Sequence, residues 1–124
     1  MARECTDSVA LPACPVETTL MLISNKWDVL ILRDLMEGTM RFGELRRSIG
    51  TISQKVLTSQ LRRMERSGLI RREVFAEVPP RVEYSLTDLG LSLEPILSAM
   101  RTWGTEYQEL VSSGVAESPS SIRK

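Results

Sequence analysis

Two short amphipathic segments separated by a glycine-containing turn constrain this chain more than any other feature. In the first segment, Phe42, Leu45 and Ile49 recur at spacings of three and four residues, which predicts one apolar face of a helix. Gly50 then ends that helix, and Ser53 lies where the N-cap of a second helix belongs. Two helices joined by so tight a turn are typical of a helix-turn-helix unit.

The second of these helices, which runs to a stop at Ser67–Gly68, has two faces of different chemistry. Leu57, Leu61 and Met64 share one side, which we expect to pack inward. The opposite side is polar and basic with a single acid nearby, Glu65, although exposed helices usually alternate acids and bases. Phosphates bind unpaired cations, and base edges bind short polar side chains near a helix N-terminus. The outward side therefore predicts a DNA-reading surface.

The charge of the chain is sorted along its length. The whole sequence has 16 basic and 16 acidic residues and no net charge. Residues 41–72 nevertheless hold nine basic and two acidic residues, so this segment carries +7 and the remainder carries −7. Charge runs on a merely solvated surface, which is the alternative interpretation, normally mix both signs. We therefore expect one electropositive face on the fold.

The sequence after the second helix predicts a two-stranded ribbon, the wing of a winged helix-turn-helix. Its tip is Pro79–Pro80, which cannot continue a strand ladder. The flanking residues that favour strands are Ile70, Val74, Phe75, Val78, Val82, Tyr84 and Leu86. The ribbon carries Arg71, Arg72 and, next to the tip, Arg81, and a basic tip can reach a neighbouring minor groove or its phosphates. For Arg81, an ion pair with Glu77 or Glu83 is an equally supported alternative.

Three further helices are predicted around this unit. Pro15 fits the first turn of a short helix that ends near Ser24–Asn25, and residues 26–36 follow as an apolar helix expected to be central. Near the C-terminus, Thr87–Asp88 can cap a helix that Pro95 breaks or kinks.

The last helix carries an apolar seam with spacings of four and three residues, formed by Ile96, Met100, Trp103, Tyr107 and Leu110. Such a seam packs on a core helix of the same chain or on a second copy, and the helix length favours a dimer. Residues 1–13 and 112–124 are rich in small, polar and proline residues. We expect them to be mobile tails around one domain at residues 14–111.

Two runs make the sequence resemble a known family. "ISQKVLTSQLRRMERSGLI" and "EVPPRVEYSLTDLG" are similar to the HxlR family of winged helix-turn-helix regulators, relatives of the MarR type, and the match extends from Cys14 to about Tyr107. The resemblance implies a mainly α fold with a small β-ribbon and with N- and C-terminal dimerisation helices. It also implies a homodimer that binds a pseudo-palindromic operator in double-stranded DNA. Ser24–Asn25 stands where the family usually has a glycine pair, and Thr39–Met40 replaces a Pro-Lys-like turn.

Together these patterns define the expected contact residues. The predicted DNA-binding residues are Arg46, Arg47, Ser53, Gln54, Lys55, Thr58, Ser59, Arg62, Arg66, Arg72 and Arg81. The resemblance places the dimer interface on the first and last helices, at Leu20, Ile23, Ile96, Met100, Trp103 and Tyr107.

Cys14 directly precedes Pro15 and so is predicted at the N-cap of the first helix, where the helix dipole and free amides favour a thiolate. Glu17 opposes this effect, and a small buried hydrophobe is the alternative role. The family resemblance implies sensing of oxidants or electrophiles, since several members use a cysteine at this Cys-Pro site. Cys5 is either a resolving partner for Cys14 or incidental.

Other function classes find little support in the composition. The chain has no histidine, the commonest metal ligand and general base, and it has no glycine-rich phosphate loop, so we expect no metal, no cofactor and no enzyme activity. No apolar run approaches the roughly 18 residues that a membrane helix needs, which predicts a cytoplasmic protein. The alternatives that remain are control of the same DNA-binding dimer by a non-covalent small molecule and a winged helix that binds protein.

Overall fold

The computed structural model describes residues 10–119 and shows the mainly α architecture expected for a winged helix-turn-helix domain. In chain order, the elements are α1 (Pro15–Leu22), α2 (Lys26–Leu35), β1 (Met40–Arg41), α3 (Phe42–Ile49), α4 (Gln54–Arg66), β2 (Ile70–Phe75), β3 (Arg81–Leu86), α5 (Asp88–Leu91) and α6 (Glu94–Ser112). The strands form one antiparallel sheet in the order β1-β3-β2. Cys5 lies outside the described residues.

The core is built on α2, as its apolar sequence predicts. Ile31, Leu32 and Leu35 of α2 are buried and belong to the same cluster as the inward residues of α3 and α4. These partners are Leu45, Leu57, Leu61 and Met64. Burying this much aliphatic surface is the main source of stability in a domain of this size, and it fixes α3 and α4 on one side of α2.

The ends of α4 follow the local signals in the sequence. The Ser53 hydroxyl accepts a hydrogen bond from the backbone N–H of Val56 at 3.1 Å, which satisfies one of the amides left unpaired at a helix start. Gly50 before the helix and Gly68 after it have φ values of +91° and +85°, a region that favours glycine. The predicted turn and both boundaries of this helix are therefore confirmed.

The sheet has a strand that the sequence analysis missed. A third strand, β1, pairs Met40 with Tyr84 and Arg41 with Glu83 at the free edge of β3. The prediction of a two-stranded ribbon was therefore incomplete. A strand of two residues shows no alternation of apolar and polar side chains, so only its pairing with β3 reveals it.

The chain between the wing and the C-terminus forms two helices rather than one kinked helix. Thr87 caps α5 by accepting a hydrogen bond from the N–H of Gly90 at 3.1 Å, as its position predicts. The break falls at Ser92–Leu93, and Pro95 lies in the first turn of α6, where its missing N–H leaves no bond unmade.

The described residues that follow α6 turn back onto it. The backbone N–H groups of Val115 and Ala116 both donate to the carbonyl of Leu110, and the Tyr107 hydroxyl donates to the carbonyl of Glu117. These contacts involve part of the segment expected to be a mobile tail. The rest of that segment, from residue 120, and residues 1–9 lie outside the described residues.

Gly90 allows a test of the packing between α5 and Leu69, the residue just before β2. A Cβ at this position would lie 2.2 Å from the Leu69 carbonyl oxygen and 3.1 Å from Leu86 Cδ2. Gly90→Ala should therefore lower the free energy of unfolding by at least about 2 kcal/mol, as overpacking does. Gly43→Ala is the matched control, because its Cβ would meet only the flexible end of Arg47 at 3.4 Å.

The two variants should be unfolded in urea at one protein concentration and followed by far-UV circular dichroism. The control should be neutral or more stable by up to about 1 kcal/mol, since alanine favours a helix over glycine. Equal urea midpoints for Gly90→Ala and the wild type would contradict the close approach of Gly90 to Leu69.

Candidate nucleic-acid interface

The outward side of α4 is polar and basic, and its inward side is apolar. Lys55, Ser59, Arg62 and Arg66 recur at helical spacing and are exposed, and Thr58 beside them is half-buried. The inward residues Leu57, Leu61 and Met64 are buried in the core. The two faces are thus oriented as the sequence predicts, and the orientation presents a continuous polar surface to solvent.

The first turn of α4 adds short polar groups to this surface. Gln54 and Lys55 are exposed there, close to the amide groups at the start of the helix. Ser53 uses its oxygen to cap the helix, but its hydroxyl hydrogen can still donate to a ligand. A helix start of this kind attracts phosphate and can also reach base edges in a major groove.

The cations of this surface are not neutralised within residues 10–119. Of the nine basic residues at positions 41–72, Arg63 alone has a carboxylate within 4.0 Å in that described range. Arg46 and Arg47 on α3 are exposed. Arg46 also donates from Nε to the Ile52 carbonyl at 3.4 Å, which ties α3 to the turn before α4. Unpaired cations at this density favour a polyanionic ligand.

The sheet extends the basic surface away from α4. Arg72 of β2 is exposed, and together with Arg62 and Thr58 it lines a depression of about 450 Å³ between α4 and the sheet. The helix and the sheet therefore offer one continuous contact surface. We call this surface the basic face; its residues are Arg46, Arg47, Gln54, Lys55, Thr58, Ser59, Arg62, Arg66 and Arg72.

Arg81 is held inside the wing. Its guanidinium lies 3.0 Å from a Glu77 oxygen and 2.9 Å from a Glu83 oxygen, and it stacks 3.9 Å from the centre of the Phe75 ring. Its side chain is only 24% exposed. Both carboxylates named in the sequence analysis are thus its partners, which supports the ion-pair interpretation over the DNA contact.

The expected dimer residues fall into two groups. Leu20 on α1 and Met100 and Trp103 on α6 are exposed, with Trp103 67% accessible and stacked on Tyr107 at 5.4 Å between ring centres. Ile23, in contrast, is 5% exposed and belongs to the core of the protomer. This burial argues against a place for Ile23 in the interface, because the residue that directly follows α1 packs against its own chain.

Ile96 is partly buried against the same core, so it has less surface to offer a second copy. The helix α1 has no buried residue over its whole length of eight residues, although its sequence is mostly apolar. A helix this short has little stability of its own, which means that it needs a surface to pack on.

Four polar residues that the sequence analysis did not single out form a network between α2 and α4. They are Asn25, Asp28, Gln60 and Arg63. The Asp28 carboxylate is fully buried and accepts hydrogen bonds from the side chains of Gln60 and Arg63. An aspartate among the apolar residues of α2 was the available signal, because a buried carboxylate requires a partner.

Cys14 is the N-cap of α1, as predicted, and its thiol is exposed and free. The side chain makes no capping hydrogen bond, so the thiol is not committed to holding the helix. This exposure argues against the alternative role as a small buried hydrophobe.

The described part of the chain offers neither a cluster of metal ligands nor a membrane-spanning helix. Residues 10–119 contain no group of three or more histidine, cysteine, aspartate or glutamate side chains arranged to hold a metal ion. In the same range, no helix has both the length and the apolar character to cross a membrane.

Comparison with known proteins identifies relatives of this chain. A family model described as HxlR-like helix-turn-helix matches residues 22–112. The chain belongs to the HxlR family. The expectation from the sequence is thereby confirmed, and the match covers every element from the end of α1 to the end of α6.

One relative is an uncharacterised HTH-type transcriptional regulator, YdeP, from Bacillus subtilis (strain 168). It is 49% identical over 98 residues, which are 79% of this chain and 77% of YdeP. Solved structures of the redox regulator HypR are similar as well. Its reduced form has a TM-score of 0.76 and 44% identity, covering 81% of this chain and 99% of HypR. Its oxidised form has a TM-score of 0.72 and 47% identity, covering 75% of this chain and 96% of HypR.

Proposed function

We propose that this protein is a transcriptional regulator that binds specific sites in double-stranded DNA in the cytoplasm. The observation that carries the proposal is the outward side of α4, where exposed cations with no carboxylate partner within residues 10–119 lie beside short polar groups at the helix start. In a helix-turn-helix protein, a helix of this chemistry enters the major groove. A winged helix that binds protein would instead favour an apolar or mixed-charge outer face.

The proposed division of labour follows the position of each residue on the basic face. Gln54, Lys55, Thr58 and Ser59 are close to the start of α4 and suit base edges. Arg46, Arg47, Arg66 and Arg72 are more peripheral and suit phosphates, while Arg62 could contact either. Ser53 contributes mainly by capping the helix.

The salt dependence of DNA binding tests the basic face. Each phosphate contact contributes about −0.9 to the slope of log affinity against log salt concentration. Arg72→Gln should reduce the magnitude of that slope by about one per subunit. The matched control is Arg81→Gln. Because the wild-type guanidinium of Arg81 is already paired with Glu77 and Glu83, this variant should keep the wild-type slope.

The measurement is fluorescence anisotropy over a series of KCl concentrations. The probe is a labelled duplex that the wild-type protein has selected from random-sequence DNA, referred to below as the selected duplex. A wild-type protein that binds this duplex no better than poly(dI-dC) would refute the proposed function. An unchanged slope for Arg72→Gln would remove that residue from the contact surface.

We further propose that the protein acts as a homodimer through α1 and α6. Support comes from the exposed apolar residues of both helices, Leu20, Met21, Met100, Trp103 and Leu110. It comes also from α1, which buries no residue in the protomer. Two copies related by a twofold axis would present their α4 helices to successive major grooves roughly 34 to 36 Å apart.

Trp103→Glu tests this interface. The charge would enter an apolar contact between subunits, so the variant should sediment as a monomer at micromolar concentration while the wild type sediments as a dimer. Val74→Glu is the control, since Val74 is 53% exposed on β2, away from both helices, and should leave the dimer intact. Far-UV circular dichroism should show both variants folded. A monomeric wild type would contradict the proposed dimer.

We propose that oxidation or electrophile modification of Cys14 controls DNA binding. The thiol is exposed at the start of a proposed dimer helix, and the chain is similar to HypR, which is described as a redox regulator and is known in reduced and oxidised forms. A bond or adduct at this point would change how α1 packs, and through the dimer it would change the spacing of the two α4 helices.

Diamide treatment tests this control. Diamide oxidises two thiols to a disulfide, so the wild-type protein should change its affinity for the selected duplex and recover it with dithiothreitol. Cys14→Ser should remove the response. Cys5→Ser separates two disulfide partners: the response is lost if Cys5 pairs with Cys14 and kept if the Cys14 residues of two subunits pair. A Cys14→Ser protein that still responds like the wild type would end this proposal.

A further inference from the structure

The centre of α4 is attached to the start of α2 through polar side chains. Asp28 accepts at Oδ1 from Gln60 Nε2 at 2.7 Å and at both carboxylate oxygens from Arg63 Nη2. Gln60 Nε2 also donates to Asn25 Oδ1 at 3.1 Å. Gln60 and Arg63 are three residues apart, so two successive turns of α4 are held by one end of α2.

The same cluster holds the turn between α1 and α2. Asn25 caps α2 by accepting from the Asp28 N–H at 3.1 Å, and the Ser24 N–H donates to Asp28 Oδ2 at 3.1 Å. Asp28 is therefore surrounded by donors from the turn, from Gln60 and from Arg63. Its carboxylate is 0% exposed, which leaves protein groups to supply all of its solvation.

A buried network of this kind imposes geometry that apolar packing does not. The burial of Leu57, Leu61 and Met64 holds α4 against the core, but the hydrophobic effect that drives it has no preferred direction. The hydrogen bonds to Asp28, in contrast, require the correct angle and distance. If α4 rotates, the carboxylate loses its partners and becomes an unpaired buried charge, which is costly.

We infer that Asp28, with Gln60 and Arg63, positions α4 so that its outward residues meet base edges in register. The inference rests on the proposed DNA-binding function and adds the residues that set its specificity. Arg63 is then a positioning residue and not a phosphate contact, although it lies next to Arg62 of the basic face. Base readout depends on side-chain placement within a fraction of an ångström, whereas phosphate attraction tolerates small rotations.

The test replaces the three side chains with apolar groups of similar shape in one variant, Asp28→Leu/Gln60→Met/Arg63→Met. Removing Asp28, Gln60 and Arg63 together avoids an unpaired buried charge, and such replacements are often neutral or stabilising. Ser24 and Asn25 lose a partner but are exposed, so water can take its place. The variant should therefore remain folded and dimeric. Its affinity for the selected duplex should fall by at least about tenfold, roughly the effect of losing one good base contact. Its affinity for poly(dI-dC) and the salt slope of that binding should stay near the wild-type values.

Arg72→Gln is the matched control because the loss of a phosphate contact weakens binding to all sequences alike. It should lower both affinities and leave their ratio unchanged, whereas the triple variant should lower the ratio. Arg63→Lys is a second variant that keeps the charge but loses the planar guanidinium. It should fold normally and reduce the ratio by an intermediate factor, about threefold.

The outcomes separate this inference from the function on which it rests. A wild-type protein with no preference for the selected duplex refutes the proposed function. A wild-type preference that the folded, dimeric triple variant and Arg63→Lys both retain refutes the positioning role. If these residues only stabilised the fold, replacing them would lower the melting temperature without changing the ratio of the two affinities.

Discussion

The hydrogen bonds to the buried carboxylate of Asp28 are the interaction on which the geometry of the basic face depends. A charge in the core is tolerated only when its hydrogen-bonding positions are occupied, and here the donors come from α4 and from the turn before α2. The carboxylate thus joins elements that are 35 residues apart in sequence. Apolar burial brings α2 and α4 together, and this network selects one orientation of α4 among those that the packing would allow.

That orientation explains the distribution of charge. Arg62 and Arg63 are neighbours in sequence, yet one is exposed without a carboxylate partner among the described residues and the other is paired with Asp28. A neutral chain can present a basic face because the acids that balance it lie mostly outside residues 41–72. In the wing, Glu77 and Glu83 neutralise Arg81. The unpaired cations of the basic face therefore lie on α3, α4 and β2 and not at the tip of the wing.

Local signals were sufficient for α4 and insufficient for its partners. Ser53 and Gly68 determine the ends of α4 through caps that involve only nearby residues, so the sequence predicts them. The strand β1 and the network at Asp28 depend on pairing with distant segments, and residue spacing carries no information about such pairing. Ile23 shows the same limit from the other side. The helix before it exposes apolar side chains, but Ile23 itself packs in the core of the protomer.

The helix α1 combines two properties that the proposed regulation requires. Leu22 packs against the core but no residue of α1 is fully buried in the protomer, so in the proposed dimer the second subunit would cover much of its apolar surface. Cys14 at its start is exposed. The turn that follows α1 donates from Ser24 to the same carboxylate that holds Gln60 and Arg63. A chemical change at Cys14 would therefore act on an element that is weakly anchored in its own chain and shares its next anchor with α4. In the proposed dimer, such an arrangement would couple the contact between the subunits to the basic face.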